Sequence, residues 1–93
     1  MVTSIILVNV ERTKINEVAA QLVDFDEISE VYSVSGKYDL VAIIRVKSND
    51  DLSHLVTSKL RNVSHILSTE TMLAFQAFSH HDLDSMFSVG LES

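Results

Sequence analysis

The residues with the clearest chemical potential lie in one short stretch, Val34-Ser35-Gly36-Lys37-Tyr38-Asp39-Leu40. Strand-forming residues flank it, so it is predicted to be the turn of a β-hairpin in which Gly36 adopts a positive φ. The amides of such a turn can converge on an anion, and the tip also carries the cation of Lys37, the ring of Tyr38 and the carboxylate of Asp39. This combination indicates a binding function; the structural alternative is that Asp39 only bonds its own backbone.

The four histidines do not form a recognisable catalytic or metal-binding pattern. A zinc site needs at least three converging ligands, whereas His54 falls on a predicted helix and His80-His81-Asp82 is more typical of a solvated connection. The sequence shows no Ser-His-Asp arrangement, phosphate-binding glycine loop or pair of carboxylates with a reason to titrate apart. We therefore expect no enzyme activity, no metal and no cofactor.

The composition limits the classes of partner. The chain has 93 residues, no cysteine and a net charge of −6, with seven Lys plus Arg against thirteen Asp plus Glu. Because this charge opposes attraction to phosphate backbones, direct nucleic-acid binding is not expected. The lack of cysteine suits a reducing compartment, and neither a leader peptide nor a membrane span is apparent. We expect a cytoplasmic location and no membrane partner.

Apolar periodicity predicts the element order β-α-β-β-α-β. Strands are expected over Val2 to Val10, on both sides of Gly36, and over a long stretch from about Val63 to Phe78. Thr13 is the expected N-cap of the first helix and Ser48 that of the second.

This order predicts an α+β fold, the ferredoxin-like sandwich, with a four-stranded antiparallel sheet and two helices on one face. The strands are apolar on both sides, and in the last strand Thr69 and Thr71 share one face while Glu70 lies on the other. The face that the helices leave open must be covered, so we expect a homodimer formed through the sheet. The domain is expected to span 1–78, and 79–93 to form a tail with a short docked helix.

The chain resembles the effector-binding domain of the Lrp/AsnC transcription regulators, also called the RAM domain. The likeness rests on Val-Tyr-Ser-Val-Ser-Gly-Lys-Tyr-Asp-Leu at 31–40, on the element order and on Ser-Thr-Glu-Thr-Met at 68–72, and it covers roughly residues 1–78. Full-length members begin with a helix-turn-helix domain, and this chain is expected to be a stand-alone version that lacks it. The resemblance implies a sheet-to-sheet dimer, assembly into rings such as octamers, and an amino-acid effector bound between dimers.

With that resemblance, the expected effector site consists of six residues: Gly36, Lys37, Tyr38, Asp39, Thr69 and Thr71. In it, Asp39 accepts from the effector ammonium, and the amides around Gly36 and Lys37 bind the effector carboxylate. Tyr38 forms a wall of the side-chain pocket. The two threonine hydroxyls come from a neighbouring strand or subunit.

The expected function is a small regulatory module that binds an amino acid or related metabolite at a subunit interface and modulates transcription indirectly through its assembly state. One alternative is a small dimeric enzyme of the cofactor-free monooxygenase type, with an internal cavity lined by a polar residue such as His65 or Tyr32. The other is a ligand-free adaptor of a full-length Lrp/AsnC regulator. Mixed assembly with such a regulator would supply the DNA-binding half that this chain is expected to lack.

Overall fold

The computed structural model describes residues 1–78. Its main elements, in chain order, are β1 (Val2–Val10), α1 (Ile15–Val23), β2 (Ile28–Ser33), β3 (Leu40–Val46), α2 (Asn49–His54) and β4 (Ile66–Ala74). A 3-10 turn at Arg12–Lys14 leads into α1, and α2 continues through a π turn at Leu55–Lys59 and a 3-10 turn at Leu60–Asn62. The predicted element order is confirmed. The helix predicted within 79–93 lies outside the described residues.

The four strands form one antiparallel sheet in the order β2-β3-β1-β4. β1 is central, so that Ile6 lies opposite Ala42 of β3 on one side and opposite Thr71 of β4 on the other. Alternate residues of β1 and β3 pack with the apolar stripes of the helices in one core cluster, which places both helices on one face. The predicted ferredoxin-like sandwich is therefore confirmed.

The core is apolar, with one polar side chain, and lies between the sheet and the helices. Its most buried members are Ile6, Val8, Val18, Leu22, Leu40, Ala42, Ile44 and Leu55. Ser4 is also fully buried, and its Oγ donates to the Met72 carbonyl oxygen at 2.7 Å, which satisfies the hydroxyl inside the protein.

Within residues 1–78, no helix has the length and apolar character needed to cross a membrane.

The other face of the sheet, here called the open face, has an apolar centre that the helices do not cover. This centre is formed by partly buried or exposed side chains from three strands: Ile5, Leu7, Val41, Ile43 and Met72. The edge strands add the carboxylates of Glu30 and Glu70. An apolar centre with charged surroundings is the usual anatomy of a protein interface.

The second helical segment is shaped by a cap and by a π turn. Ser48 is its N-cap, as predicted, and its Oγ accepts from the Asp51 amide at 3.2 Å. Further along, the Leu60 amide donates to the Leu55 carbonyl oxygen, five residues earlier, as in a π helix. Both leucines are buried, so the π turn lets two residues spaced by five face the same core.

Two predicted boundaries are wrong. Thr13 does not cap the first helix: it lies within the 3-10 turn, which has no side-chain capping bond. β4 is also shorter than the predicted stretch from Val63 to Phe78, because its pairing ends where Ala74 meets Thr3, next to the first residue of β1.

Candidate functional site

The connection between β2 and β3 is a six-residue turn, 34–39, closed by backbone hydrogen bonds. The Val34 amide donates to the Asp39 carbonyl oxygen at 3.1 Å, and the Asp39 amide donates to the carbonyl oxygen of Val8 at 3.0 Å. Gly36 has a φ of +117°, which confirms the predicted positive φ. Its neighbour Lys37 is exposed. The turn is thus anchored at Asp39 and open to solvent at its tip.

The Asp39 carboxylate is fixed to the end of β1. Its Oδ2 accepts from the Val10 amide at 2.9 Å in a partly buried contact. The partner lies 29 residues away in the sequence, so the carboxylate does not simply cap its own turn. Because Oδ2 is held by the backbone, Oδ1 has a defined orientation at the base of the turn.

Tyr38 reaches across the central strand. Its hydroxyl donates to Glu70 Oε2 on β4, although β1 separates β3 from β4 in the sheet. Glu70 lies opposite Leu7, which places this contact on the open face. The hydrogen bond to the carboxylate raises the pKa of Tyr38 above its ordinary value, with smaller contributions from desolvation and from the Glu70 charge.

Thr69 and Thr71 lie on the other side of the sheet. They are opposite Val8 and Ile6, whose side chains face the helices, whereas the intervening Glu70 faces away from them. Both threonines are exposed because β4 is the edge strand. The predicted alternation of these residues is confirmed.

The structure brings only part of the predicted site together within one subunit. Leu40, Val8 and Thr69 lie in one row across three strands, so Leu40 and Thr69 are about 10 Å apart at the usual strand spacing. Thr71 lies a further two residues along β4. Gly36, Lys37, Tyr38 and Asp39 therefore form one group, and the two threonines form another.

Sequence reasoning missed two partners in this region, Glu70 and the Val10 amide. A signal for Glu70 was available, since its carboxylate shares a strand face with the apolar side chain of Met72. The Val10 contact carries no comparable signal, because any backbone amide at the end of β1 has the same chemistry.

His65 contacts the residue that follows β1, Glu11. His65 Nδ1 lies 3.0 Å from Glu11 Oε2, and the His65 carbonyl oxygen accepts from the Glu11 amide at 3.0 Å. His65 also has a φ of +74°, which is uncommon for a residue with a side chain. Within 1–78, no group of three or more His, Cys, Asp or Glu residues is placed to hold a metal ion.

Comparisons with known proteins agree with this fold. A family model described as the Lrp/AsnC ligand binding domain matches residues 3–83. The helix-turn-helix-type transcriptional regulator FL11 of Pyrococcus furiosus is 33% identical over 75 residues, which are 81% of this chain and 49% of that protein. The chain thus spans about half the length of this curated relative.

Solved structures give the same result. The crystal structure of TTHA0845 from Thermus thermophilus superposes with a TM-score of 0.80 at 32% identity, covering 86% of this chain and 100% of that one. The transcriptional regulator NMB0573 from Neisseria meningitidis, solved as a complex with L-Met, has a TM-score of 0.76 at 16% identity, covering 85% of this chain and 53% of that one. At that identity the second likeness shows the fold alone.

Proposed function

Because this chain belongs to the family of Lrp/AsnC ligand-binding domains, we propose that it binds an amino acid or a related metabolite at a subunit interface and modulates transcription indirectly, through its state of assembly. Family members such as FL11 are named as transcriptional regulators, and NMB0573 was solved with L-Met. These properties belong to those proteins. They set the class of function that we assign to this chain.

The observation that carries the proposal is the fixed carboxylate at the base of an exposed turn. Asp39 Oδ2 is held by the Val10 amide, so Oδ1 is oriented to accept from an ammonium without first losing side-chain freedom. The turn around Gly36, with its positive φ, offers amides for the carboxylate of the same ligand. An α-amino acid carries these two groups on one carbon.

The division of the six site residues supports an interface between subunits. Two strand spacings, about 10 Å, separate Thr69 from Leu40 at the base of the turn, and a small amino acid bound at Asp39 is too short to bridge them within one subunit. A neighbouring subunit can bring its own Thr69 and Thr71 to the turn, since both are exposed on an edge strand. We therefore assign Gly36, Lys37, Tyr38 and Asp39 to one subunit and the threonines to the next.

The proposed dimer forms through the open face. Its apolar centre would be buried by the same surface of a second copy, related by a two-fold axis. Dimers then join into larger rings around the ligand sites. A ligand that binds only the larger assembly shifts the equilibrium toward it by mass action, and this shift is the regulatory signal.

The two alternatives have less support. An enzyme of the monooxygenase type needs an internal cavity lined by a residue such as Tyr32 or His65. The best-formed grooves on residues 1–78 are open to the surface, and neither Tyr32 nor His65 lines any of them. A ligand-free adaptor would use the Asp39 carboxylate only for its bond to the Val10 amide, which leaves Oδ1 without a role. Contact with a full-length Lrp/AsnC regulator is compatible with our proposal, because a related open face can form a mixed dimer.

Native mass spectrometry tests the proposal directly. The purified chain is measured alone and with each standard amino acid. We expect one of them to shift a dimer to a larger assembly with matching added mass. Asp39→Asn should abolish both effects, whereas Asp26→Asn, an exposed control, should retain them. A response that survives in Asp39→Asn, or the absence of any response in the parent chain, would refute the proposal.

A further inference from the structure

A groove of about 370 Å³ lies between the end of the second helical segment and the start of β4. Leu60 and Val63 are buried beside it, Ile66 is half-buried, and Leu67 is 66% exposed. This volume falls within the range of small-molecule sites. None of the residues 36–39 lines the groove, so it is separate from the turn, although Thr69 lies at its rim.

Irregular backbone shapes this groove from both sides. The π turn, Leu55–Lys59, and the following 3-10 turn form one wall. On the other side, β1 and β4 change register, so that Val10 pairs with Ile66 and Asn9 with Ser68, which leaves Leu67 as the extra residue of a β-bulge. Bulges redirect side chains and are frequent next to binding sites. Here the bulge places Leu67 on the groove wall.

The charge of the groove wall is unusual for this chain. Arg61 is its only charged residue, and within 1–78 this arginine takes part in no ion pair. The wall contains hydroxyl groups, including that of Thr69, but no carboxylate. It can therefore pair with an anionic group, and it has no anionic partner for an ammonium.

From these features we propose that the groove is a second ligand site, for a small apolar monocarboxylate without an ammonium, such as a short branched fatty acid or a 2-oxo acid. The Arg61 guanidinium binds the carboxylate through charge-assisted hydrogen bonds. The hydrocarbon chain packs on Leu60, Ile66 and Leu67. Because the net charge of −6 repels anions, the local charge of Arg61 is what favours binding of an anion in this groove.

Three probes with one carbon skeleton test the proposal: 4-methylpentanoate, its 2-amino derivative L-leucine, and 4-methylpentan-1-ol. Each is titrated into the full chain while the methyl resonances of Leu60, Val63, Ile66 and Leu67 are followed by NMR. We expect saturable shifts with 4-methylpentanoate. Binding at these methyls should be at least about tenfold weaker for L-leucine, which adds an ammonium, and for the alcohol, which lacks the carboxylate.

Variants identify the cation. Arg61→Gln should weaken 4-methylpentanoate binding about tenfold or more, and Arg61→Lys should weaken it less because the charge is kept. Arg12→Gln is the matched control, since Arg12 is exposed and lies outside the groove. Asp39→Asn should leave the binding unchanged, so failure of the amino-acid site at the turn and failure of this site give different results.

Several results would overturn this assignment. Equal binding of the alcohol at the four methyl groups would remove the carboxylate selectivity, and equal binding of L-leucine would remove the selectivity against an ammonium. Unchanged affinity in Arg61→Gln would remove the arginine from the site. Methyl shifts that follow protein concentration rather than probe concentration would show that a second copy occupies the groove. The absence of any saturable shift would show that the groove does not bind 4-methylpentanoate.

Discussion

Replacing Asp39 by alanine should destabilise the fold as well as remove ligand binding, whereas replacing it by asparagine should remove ligand binding with a smaller loss of stability. The Val10 amide is buried with its residue, which is 3% exposed, and it donates to Asp39 Oδ2 at 2.9 Å. Alanine leaves this donor without its acceptor. Asparagine keeps an acceptor oxygen in the same place but has no charge.

The expected magnitudes follow from these bonds. A buried donor left unsatisfied costs about 1–3 kcal/mol, whereas exchanging a charged acceptor for a neutral one costs about 1 kcal/mol. Asp39→Ala should therefore lower the free energy of unfolding by about 2 kcal/mol, which for a chain of this length lowers Tm by roughly 8–16 °C. Asp39→Asn should lower the free energy of unfolding by about half as much. Both variants should lose the amino-acid response, because neither has a carboxylate at position 39.

The assay is urea denaturation followed by circular dichroism, with all variants at one protein concentration because assembly contributes to stability. Asp26→Ala is the control, and as an exposed change it should stay within about 0.5 kcal/mol of the parent. If Asp39→Ala is as stable as Asp39→Asn, the Val10 contact does not hold the turn. If Asp39→Asn still responds to the amino acid, the charge at this position is not the acceptor.

Three further predictions concern the turn, the open face and an ion pair. Gly36→Ala should lower the free energy of unfolding by about 1–2 kcal/mol, because a φ of +117° strains any L residue although no atom lies within 4 Å of the added Cβ. Urea titration measures this loss. Gly36→Ser must show the same loss if backbone strain rather than crowding is the cause. Glu70→Gln removes the carboxylate that raises the pKa of Tyr38, so this tyrosine should ionise at lower pH in an ultraviolet titration, and an unchanged curve would contradict the contact. The hydrogen bond from the Lys59 ammonium lowers the pKa of Glu27, so the pair stabilises the fold above the ordinary carboxyl pKa, and this contribution is lost as pH falls through the lowered value. The difference in stability between the parent and Glu27→Gln should therefore disappear in acid. A difference that persists in acid would argue against the pair.

The fold was largely predictable because it depends on periodic patterns. Alternation on both sides of the strands, with two amphipathic segments between them, leaves few arrangements that obey the crossover rule. The Ser48 cap was also predictable, since a capping bond joins residues three apart. The end of β4 was not, because it depends on where its partner Thr3 lies, and local propensity contains no information about register.

The candidate site shows the same limit at the level of single residues. Gly36 could be assigned from its own chemistry, because only glycine adopts its φ without strain. The partners of Asp39 and Tyr38 lie 29 and 32 residues away. These contacts depend on the strand order, which places β1 beside β3 and β4. The spacing of residues within a motif does not indicate that order. The turn was therefore predictable, and its anchoring was not.

The Tyr38–Glu70 contact couples the turn to the open face of the sheet. Tyr38 belongs to the turn, and Glu70 belongs to the face on which a second copy would pack. Any ligand that moves the tyrosine ring changes the surface presented to that copy, and packing changes the turn in return. The coupling free energy is the same in both directions. Packing of a second copy would thus change ligand affinity at the turn by the same factor by which the ligand changes the affinity between subunits, and a substitution at Glu70 would alter that shared factor.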